Sequence, residues 1–501
     1  MMRSHGNNST SLSHSRACIS ISSRESERRL RPEQQSARHR ISRRAALASA
    51  GVAALATSHP ARPAAAQSAT AVASPAATPT AAPNPVVASW PHVFSHPEFQ
   101  FQFLIGLGSA YEQAADVGEL FAAASRITDG DYDSWYDTFY ALGDRVRAIA
   151  ETSSASGNAI SAREAFLRAS SYYAQAYFFT YGTSQPDRIS ETWEQHRACF
   201  DEFAALLQPA AVPVAVPYED TTLPGYALLV DDSGTPRPWL VMNNGSDGTL
   251  TDMWVQGAAA GMRRGYNVLI FDGPGQGAAL WRQHLSFRPD WEKVLTPVVD
   301  WLIGRDDVNP EQLVLIGISQ GGYWVPRALA FEKRFVAAVA DPGVTDVATS
   351  FTAQLPPNTM QGLLDAPEAE RAKVAAEING YLAEGMAESI DLRWTVMTRM
   401  KPYGVANFAD LLVALAAYNL RDVVGEITTP LLIAAPEGET FWPGQSQELY
   451  DALTGPKLLV PFTAAEGADL HCEPKANSLR AQRFFDWFAT MLAPSAATPT
   501  A

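Results

Sequence analysis

Residues 313–322, ending in Gly317-Ile318-Ser319-Gln320-Gly321-Gly322, constrain the chain more than any other stretch. The apolar run Leu313 to Ile316 reads as a buried strand, and a helix-compatible run, Tyr323 to Lys333, follows the glycines. A serine between strand and helix sits on a strained turn that leaves its hydroxyl accessible, and glycines on both sides tolerate the backbone crowding. Gly-x-Ser-x-Gly alone is common and also fits a tight turn with a bystander serine. Its place between strand and helix is what marks Ser319 as a nucleophile.

The surrounding pattern fits such a turn. Short β-rich runs fall at Val214 to Tyr218, Tyr226 to Val230, Trp239 to Met242, Asn267 to Phe271, Leu313 to Ile316, Val336 to Val339, Leu431 to Ala434 and Leu458 to Val460. From the third run onward most are separated by helical patterns such as Asp252 to Arg264 and Trp291 to Ile303, the signature of crossovers in a parallel sheet. The short links before the third run predict an antiparallel start. The fold class is α/β: a mostly parallel eight-stranded sheet with helices on both faces.

Two regions stand outside this rhythm. Residues 90–211 read as helices, with Ala165 to Phe179 rich in aromatics at helical spacing. Residues 344–429 read mostly as helix (Glu368 to Glu384, Asn407 to Asn419) and are too long for a structureless loop in a compact domain, so they are an insertion. The two together are expected to form a lid over a core made of residues 212–343 and 430–492.

A nucleophilic serine needs a base and an acid. Beyond residue 66 the histidines are His92, His96, His196, His284 and His471. In strand–turn–helix serine sites the partners follow in the order serine, acid, histidine. Only His471 follows Ser319, in a loop after the last strand; His284 is the one rival. The acid is expected at the end of the preceding strand, where Glu439 aligns with a position usually held by Asp. Glu437 and Asp341 remain open. Oxyanion stabilisation requires two backbone N–H groups, expected from Gln320 and from Ser246 in the turn Asn243 to Gly248, which also reads as an ordinary Asn-Gly turn. Phe271 to Gly277 is glycine-rich but lacks the Lys-Ser/Thr of a phosphate loop and dinucleotide glycine spacing, and reads as a shaped turn beside the site.

The ends of the chain carry different information. A basic stretch leads into Arg43-Arg44, an apolar run Ala45 to Ala56 and Ala64-Ala65-Ala66, the layout of a twin-arginine export signal over residues 1–66. Its apolar run is shorter than the roughly 20 residues of a membrane span. Residues 67–89 and 493–501, rich in Ala, Thr, Pro and Ser, read as a solvated linker and a tail. Cleavage after residue 66 would remove 11 Arg and 3 Glu and take the formal charge from −15 to −23. That argues against nucleic acid or anionic membranes as partners. Cys199 and Cys472 support neither a disulfide scaffold nor a zinc site, and no cofactor or metal motif is present.

With these residues in place, the chain resembles the α/β-hydrolases with an amino-terminal helical lid, the group of 2,6-dihydroxypseudooxynicotine hydrolase, FrsA-like esterases and fungal pigment chain-shortening hydrolases. The resemblance rests on Ala165 to Phe179, Asp272 to Gly277, Gly317 to Gly322, Asp341-Pro342-Gly343, Phe441 to Gln445 and His471-Cys472-Glu473, and spans residues 97–490. It implies an α/β-hydrolase fold with Ser319 as nucleophile and His471 as base, while Glu439 departs from the usual Asp. It also implies hydrolysis of an ester or acyl compound or of a carbon–carbon bond beside a carbonyl, with an amide as the next choice. The expected partner is a small apolar or aromatic carbonyl compound; a homodimer stays open. The reading from another class is an exported binding protein on a hydrolase fold.

Overall fold

Successive side chains of a strand point to opposite faces, so the continuous apolar runs here must be covered on both sides. A computed structural model describes residues 92–353 and 355–493. The segments expected to be an export signal (1–66) and a linker (67–89), and all of the expected tail (493–501) except residue 493, lie outside the described residues. The strands are β1 (Val212–Tyr218), β2 (Thr221–Leu228), β3 (Arg237–Asn243), β4 (Asn267–Phe271), β5 (Val308–Ile318), β6 (Ala337–Asp341), β7 (Leu431–Pro436) and β8 (Lys457–Phe462). They form one eight-stranded sheet in the order β1-β2-β4-β3-β5-β6-β7-β8. β2 pairs antiparallel with β1 and β4, and every other pairing is parallel.

Several strand boundaries differ from the sequence reading, most of all the starts of β2 and of β5, the latter at Val308, five residues before the expected Leu313. β2 begins at Thr221, five residues before the expected Tyr226, because a tight turn pairs Tyr218 with Thr221 and carries the ladder through polar Thr222 and Pro224. Edge pairing to β1 sets this strand's start more than its hydrophobicity does. β1, at the sheet edge, accommodates Pro213 and Pro217.

The alternation divides the core. Leu240, Met242, Ile270 and Ile316 face a cluster shared with the amino-terminal helices and the last helix, Asn477–Leu492. Trp239, Val241, Leu269, Leu313 and Leu315 face the opposite cluster, with the helices Glu292–Ile303 and Gly321–Leu329 and most of the insertion. Each such fully buried apolar side chain contributes about 1.5–3 kcal/mol.

The amino-terminal region contains the helices Pro97–Ser109, Val117–Ala124, Tyr132–Ala155, Ala159–Phe178 and Ile189–Ala205. Asp116 and Asp131 cap their helices by accepting backbone N–H groups. The insertion centres on Glu368–Glu388 and Ile390–Tyr403. The second of these helices touches the amino-terminal region directly. Trp394 Nε1 donates to the Phe178 carbonyl at 2.9 Å, Arg393 to the Gly182 carbonyl at 2.8 Å, and Tyr132 Oη to the Asp391 carboxylate at 2.9 Å. Among the described residues no helix is long and apolar enough to cross a membrane.

Candidate active site

β5 is flanked by β3 and β6, and the chain crosses over between β4 and β5, so the carboxyl end of β5 lies at the point where strand order reverses. Open α/β sheets place their sites there. Ser319 is the first residue past that end. Its φ of 56° is in the left-handed region, the strained turn expected of it. Gly317 makes the turn feasible: a Cβ there would lie 2.3 Å from the Gly321 carbonyl oxygen.

The structure brings Ser319, His471 and Glu439 into one hydrogen-bonded chain. His471 Nε2 lies 2.9 Å from Ser319 Oγ, and His471 Nδ1 lies 2.7 Å from Glu439 Oε2. A carboxylate only accepts, so Nδ1 carries the proton and Nε2 is free to accept from the serine. The other Glu439 oxygen accepts the Phe441 and Trp442 N–H groups at 2.7 and 3.1 Å. Burial alone would raise the Glu439 carboxyl; the charge and hydrogen bond of His471 and the two N–H groups outweigh it and hold the carboxyl below the usual glutamate range. Phe441 packs on the imidazole at 4.6 Å between ring centres.

The other candidates lie elsewhere. Glu437 is exposed and accepts the Ala464 N–H at 2.9 Å. Asp341 is buried beneath the site, and its backbone carbonyl accepts the Ser319 N–H at 2.6 Å. Neither carboxylate hydrogen-bonds His471 among the described residues. His284 is exposed on the loop after the helix Gly277–Trp281 and takes no part in the Ser319 network. Cys199 and Cys472 are separate buried thiols.

Around the serine, the loop after β3 is held from two sides. Gln276, from the glycine-rich turn after β4, donates to the Asn244 and Gly245 carbonyls, both at 2.9 Å. From the insertion, Arg399 donates to Ser246 Oγ at 2.9 Å and pairs with the Asp247 carboxylate. The Gly245 N–H is taken by Asn244 Oδ1 at 2.8 Å, whereas the Ser246 and Gln320 N–H groups are taken by no other group among the described residues. Gly245 and Arg399 escaped the sequence reading. Gly245 had a signal in its Asn-Gly context, but one that a plain turn shares; Arg399 lies 80 residues past Ser319, and no local pattern marks it.

A narrow cleft lies between the amino-terminal helices, the insertion and the core, lined by Tyr177, Phe178, Tyr181, Trp281, Lys401 and the segment Ser246–Gly248. It reaches the site through Ser246 rather than through Ser319 itself.

Comparison with known proteins adds an independent line. Residues 254–381 match the model of the prolyl oligopeptidase family. The chain is 31% identical over 419 residues to the hydrolase LUC6 of Fusarium sp., covering 79% of this chain and 96% of that protein. It is 29% identical over 427 residues to the 20-hydroxy-prefusarin hydrolase FUS2 of Gibberella moniliformis, covering 80% and 98%. Among solved structures it is similar to 2,6-dihydroxy-pseudo-oxynicotine hydrolase, with a TM-score of 0.60 at 20% identity over 79% of this chain and 98% of that one.

Proposed function

Because the chain is a hydrolase that belongs to the α/β-hydrolase superfamily, as its fungal relatives do, we propose that it is a serine hydrolase acting through a Ser319–His471–Glu439 triad. The observation that carries this reading is the unbroken hydrogen-bonded chain from Glu439 through His471 to Ser319 Oγ at the end of β5.

Ser319 Oγ attacks a substrate carbonyl while His471 Nε2 takes its proton, and Glu439 orients the imidazole and stabilises its charged form. The Gln320 and Ser246 N–H groups receive the oxyanion. Collapse gives an acyl-enzyme, with His471 returning its proton to the leaving group, and water activated by His471 then releases the acid. An ester leaves as an alcohol. A carbon–carbon substrate leaves as an enolate or aryl carbanion, which requires a carbonyl or electron-poor ring beside the broken bond.

The aromatic cleft supports a small apolar or aromatic carbonyl substrate, with the amino-terminal helices and the insertion acting together as its lid. Ester or acyl hydrolysis and carbon–carbon hydrolysis are favoured alike. The match to the prolyl oligopeptidase family supports a second reading, amide hydrolysis. The Arg43-Arg44 segment supports export by a twin-arginine route.

Rapid mixing with p-nitrophenyl acetate tests the acyl-enzyme: a burst of one equivalent of p-nitrophenol is expected from the wild type and none from Ser319→Ala. A panel of p-nitrophenyl esters, aminoacyl amides and β-diketones then separates the bond types.

A further inference from the structure

Beneath the triad lies a second acidic group that the mechanism above does not use. Glu473, two residues after His471, is 0% exposed, and Asp341, at the end of β6, is 1% exposed. Both Glu473 carboxyl oxygens and Asp341 Oδ1 lack any donor among the described residues. The two carboxyls are within hydrogen-bonding reach of each other. Two carboxylates in one buried site resist both being ionised, and a single proton between them joins one oxygen of each into a hydrogen-bonded pair carrying one negative charge.

The pair sits where the nucleophile and the base are tied together. The Asp341 backbone carbonyl accepts the Ser319 N–H at 2.6 Å and the Cys472 thiol at 3.3 Å. Cys472 and Glu473 have φ values of 55° and 45°, so two consecutive residues after His471 occupy the left-handed region. That conformation is costly for a non-glycine residue and persists only where neighbours hold it. The backbone ties are the Glu473 N–H to the Leu470 carbonyl at 2.9 Å and Arg480 Nη1 to the Cys472 carbonyl at 2.5 Å. The Ala476 N–H to the Glu473 carbonyl at 2.9 Å and the Cys472 thiol add to these, and the Glu473 side chain is a further anchor.

We infer that Glu473 is a positioning residue: as a neutral carboxylic acid donating to the Asp341 carboxylate, it holds the left-handed turn that places His471 opposite Ser319. This rests on the proposed roles of Ser319 and His471. The groups facing the pair are Arg480 from the last helix, Glu439 after β7, and His471 and Cys472 on its own loop. Burial, and next the Asp341 charge, push the Glu473 carboxyl well above the usual range, with Arg480 acting the other way. Loss of the shared proton at alkaline pH leaves two buried anions in contact, and the turn gives way.

The rate of fluorophosphonate labelling against pH tests this, with far-UV circular dichroism and melting to establish folding. Wild-type labelling is expected to fall reversibly on the alkaline side while the protein stays folded. E473Q, whose amide donates to Asp341 without titrating, keeps the neutral-pH rate to within about threefold and loses the alkaline fall. E473L, which cannot donate, labels at least about tenfold more slowly, as expected for a misplaced base. A wild-type rate that stays flat while the protein is folded, an alkaline fall shared unchanged by E473Q, or a folded E473L that labels like wild type overturns the inference. Where E473L does not fold, the E473Q profile decides. A wild type that never labels contradicts the Ser319 reading instead, so the two failures are distinct.

Discussion

Gly245 and Ser319 stand so close that a Cβ on residue 245 would lie 2.7 Å from Ser319 Cβ and 3.2 Å from its Oγ. The loop after β3 is therefore pressed against Ser319, and Gln276 prevents it from moving away. A Gly245→Ala variant has to displace either the loop or the serine. It is expected to fold normally and lose about 10–100-fold in kcat, the cost of a misplacement well under 1 Å to about 1 Å. Steady-state kinetics beside a melting curve check this.

Glu439 serves two masters: one oxygen takes the His471 Nδ1–H and the other takes two backbone N–H groups. Glu439→Gln keeps the shape but loses the charge that stabilises imidazolium, and kcat should fall by about 10³-fold or more. Glu439→Asp keeps the charge but shortens the reach by one methylene, so it cannot satisfy both sets of partners; an intermediate loss of about 10–100-fold is expected. Equal losses in both variants would mean that length rather than charge governs the site.

Arg399 fastens the insertion to the loop after β3, which carries the proposed oxyanion donor Ser246. Arg399→Met removes the cation from the Asp247 carboxylate and leaves Ser246 Oγ held only by its own bond to Asp247 at 3.0 Å, and kcat/KM is expected to fall about tenfold, equivalent to about 1.4 kcal/mol. The double variant Arg399→Met with Asp247→Asn should recover part of this, because the unpaired charge is gone. Independent, additive losses would place Arg399 outside the coupling.

His96 and Asp391 join the amino-terminal helices to the insertion at 3.1 Å. Burial lowers the His96 imidazole, but the hydrogen bond and charge of Asp391, with Glu98 and Asp129, leave it raised overall. The His96 hydrogen bond, ahead of the opposing burial, lowers Asp391. A raised imidazole stabilises the fold fully below its unfolded pKa and ceases to as pH rises through the folded value; the lowered carboxyl stabilises above its ordinary range and ceases to as pH falls through the folded value. The pair therefore contributes most between about pH 4 and 6.5. With Asp391 partly exposed, its worth is about 1 kcal/mol or less. His96→Gln should lower Tm by on the order of 1–2 °C near pH 6 and by less near pH 9.

Much of this was legible in the sequence because local pattern and chain order carry it. The run Leu313 to Ile316 followed by Gly317 marks a central strand ending at Ser319, and only one histidine follows that serine. The acid was ambiguous, because Glu437 and Glu439 lie on the same short loop and only the turn of the backbone after β7 decides which of them reaches His471. Gly245, Arg399 and the Glu473–Asp341 pair depend on contacts between segments distant in the chain. Arg399 meets Asp247 across 152 residues and Cys472 meets Asp341 across 131, distances over which no periodicity carries a signal.

Incubation with a fluorophosphonate followed by intact-mass measurement tests the central claim most directly. One adduct per chain is expected on the wild type, mapping to Ser319 after digestion, with none on Ser319→Ala and a strongly slowed reaction on His471→Ala. A folded wild-type protein that acquires no adduct, or a Ser319→Ala variant that labels as fast as wild type, would contradict it.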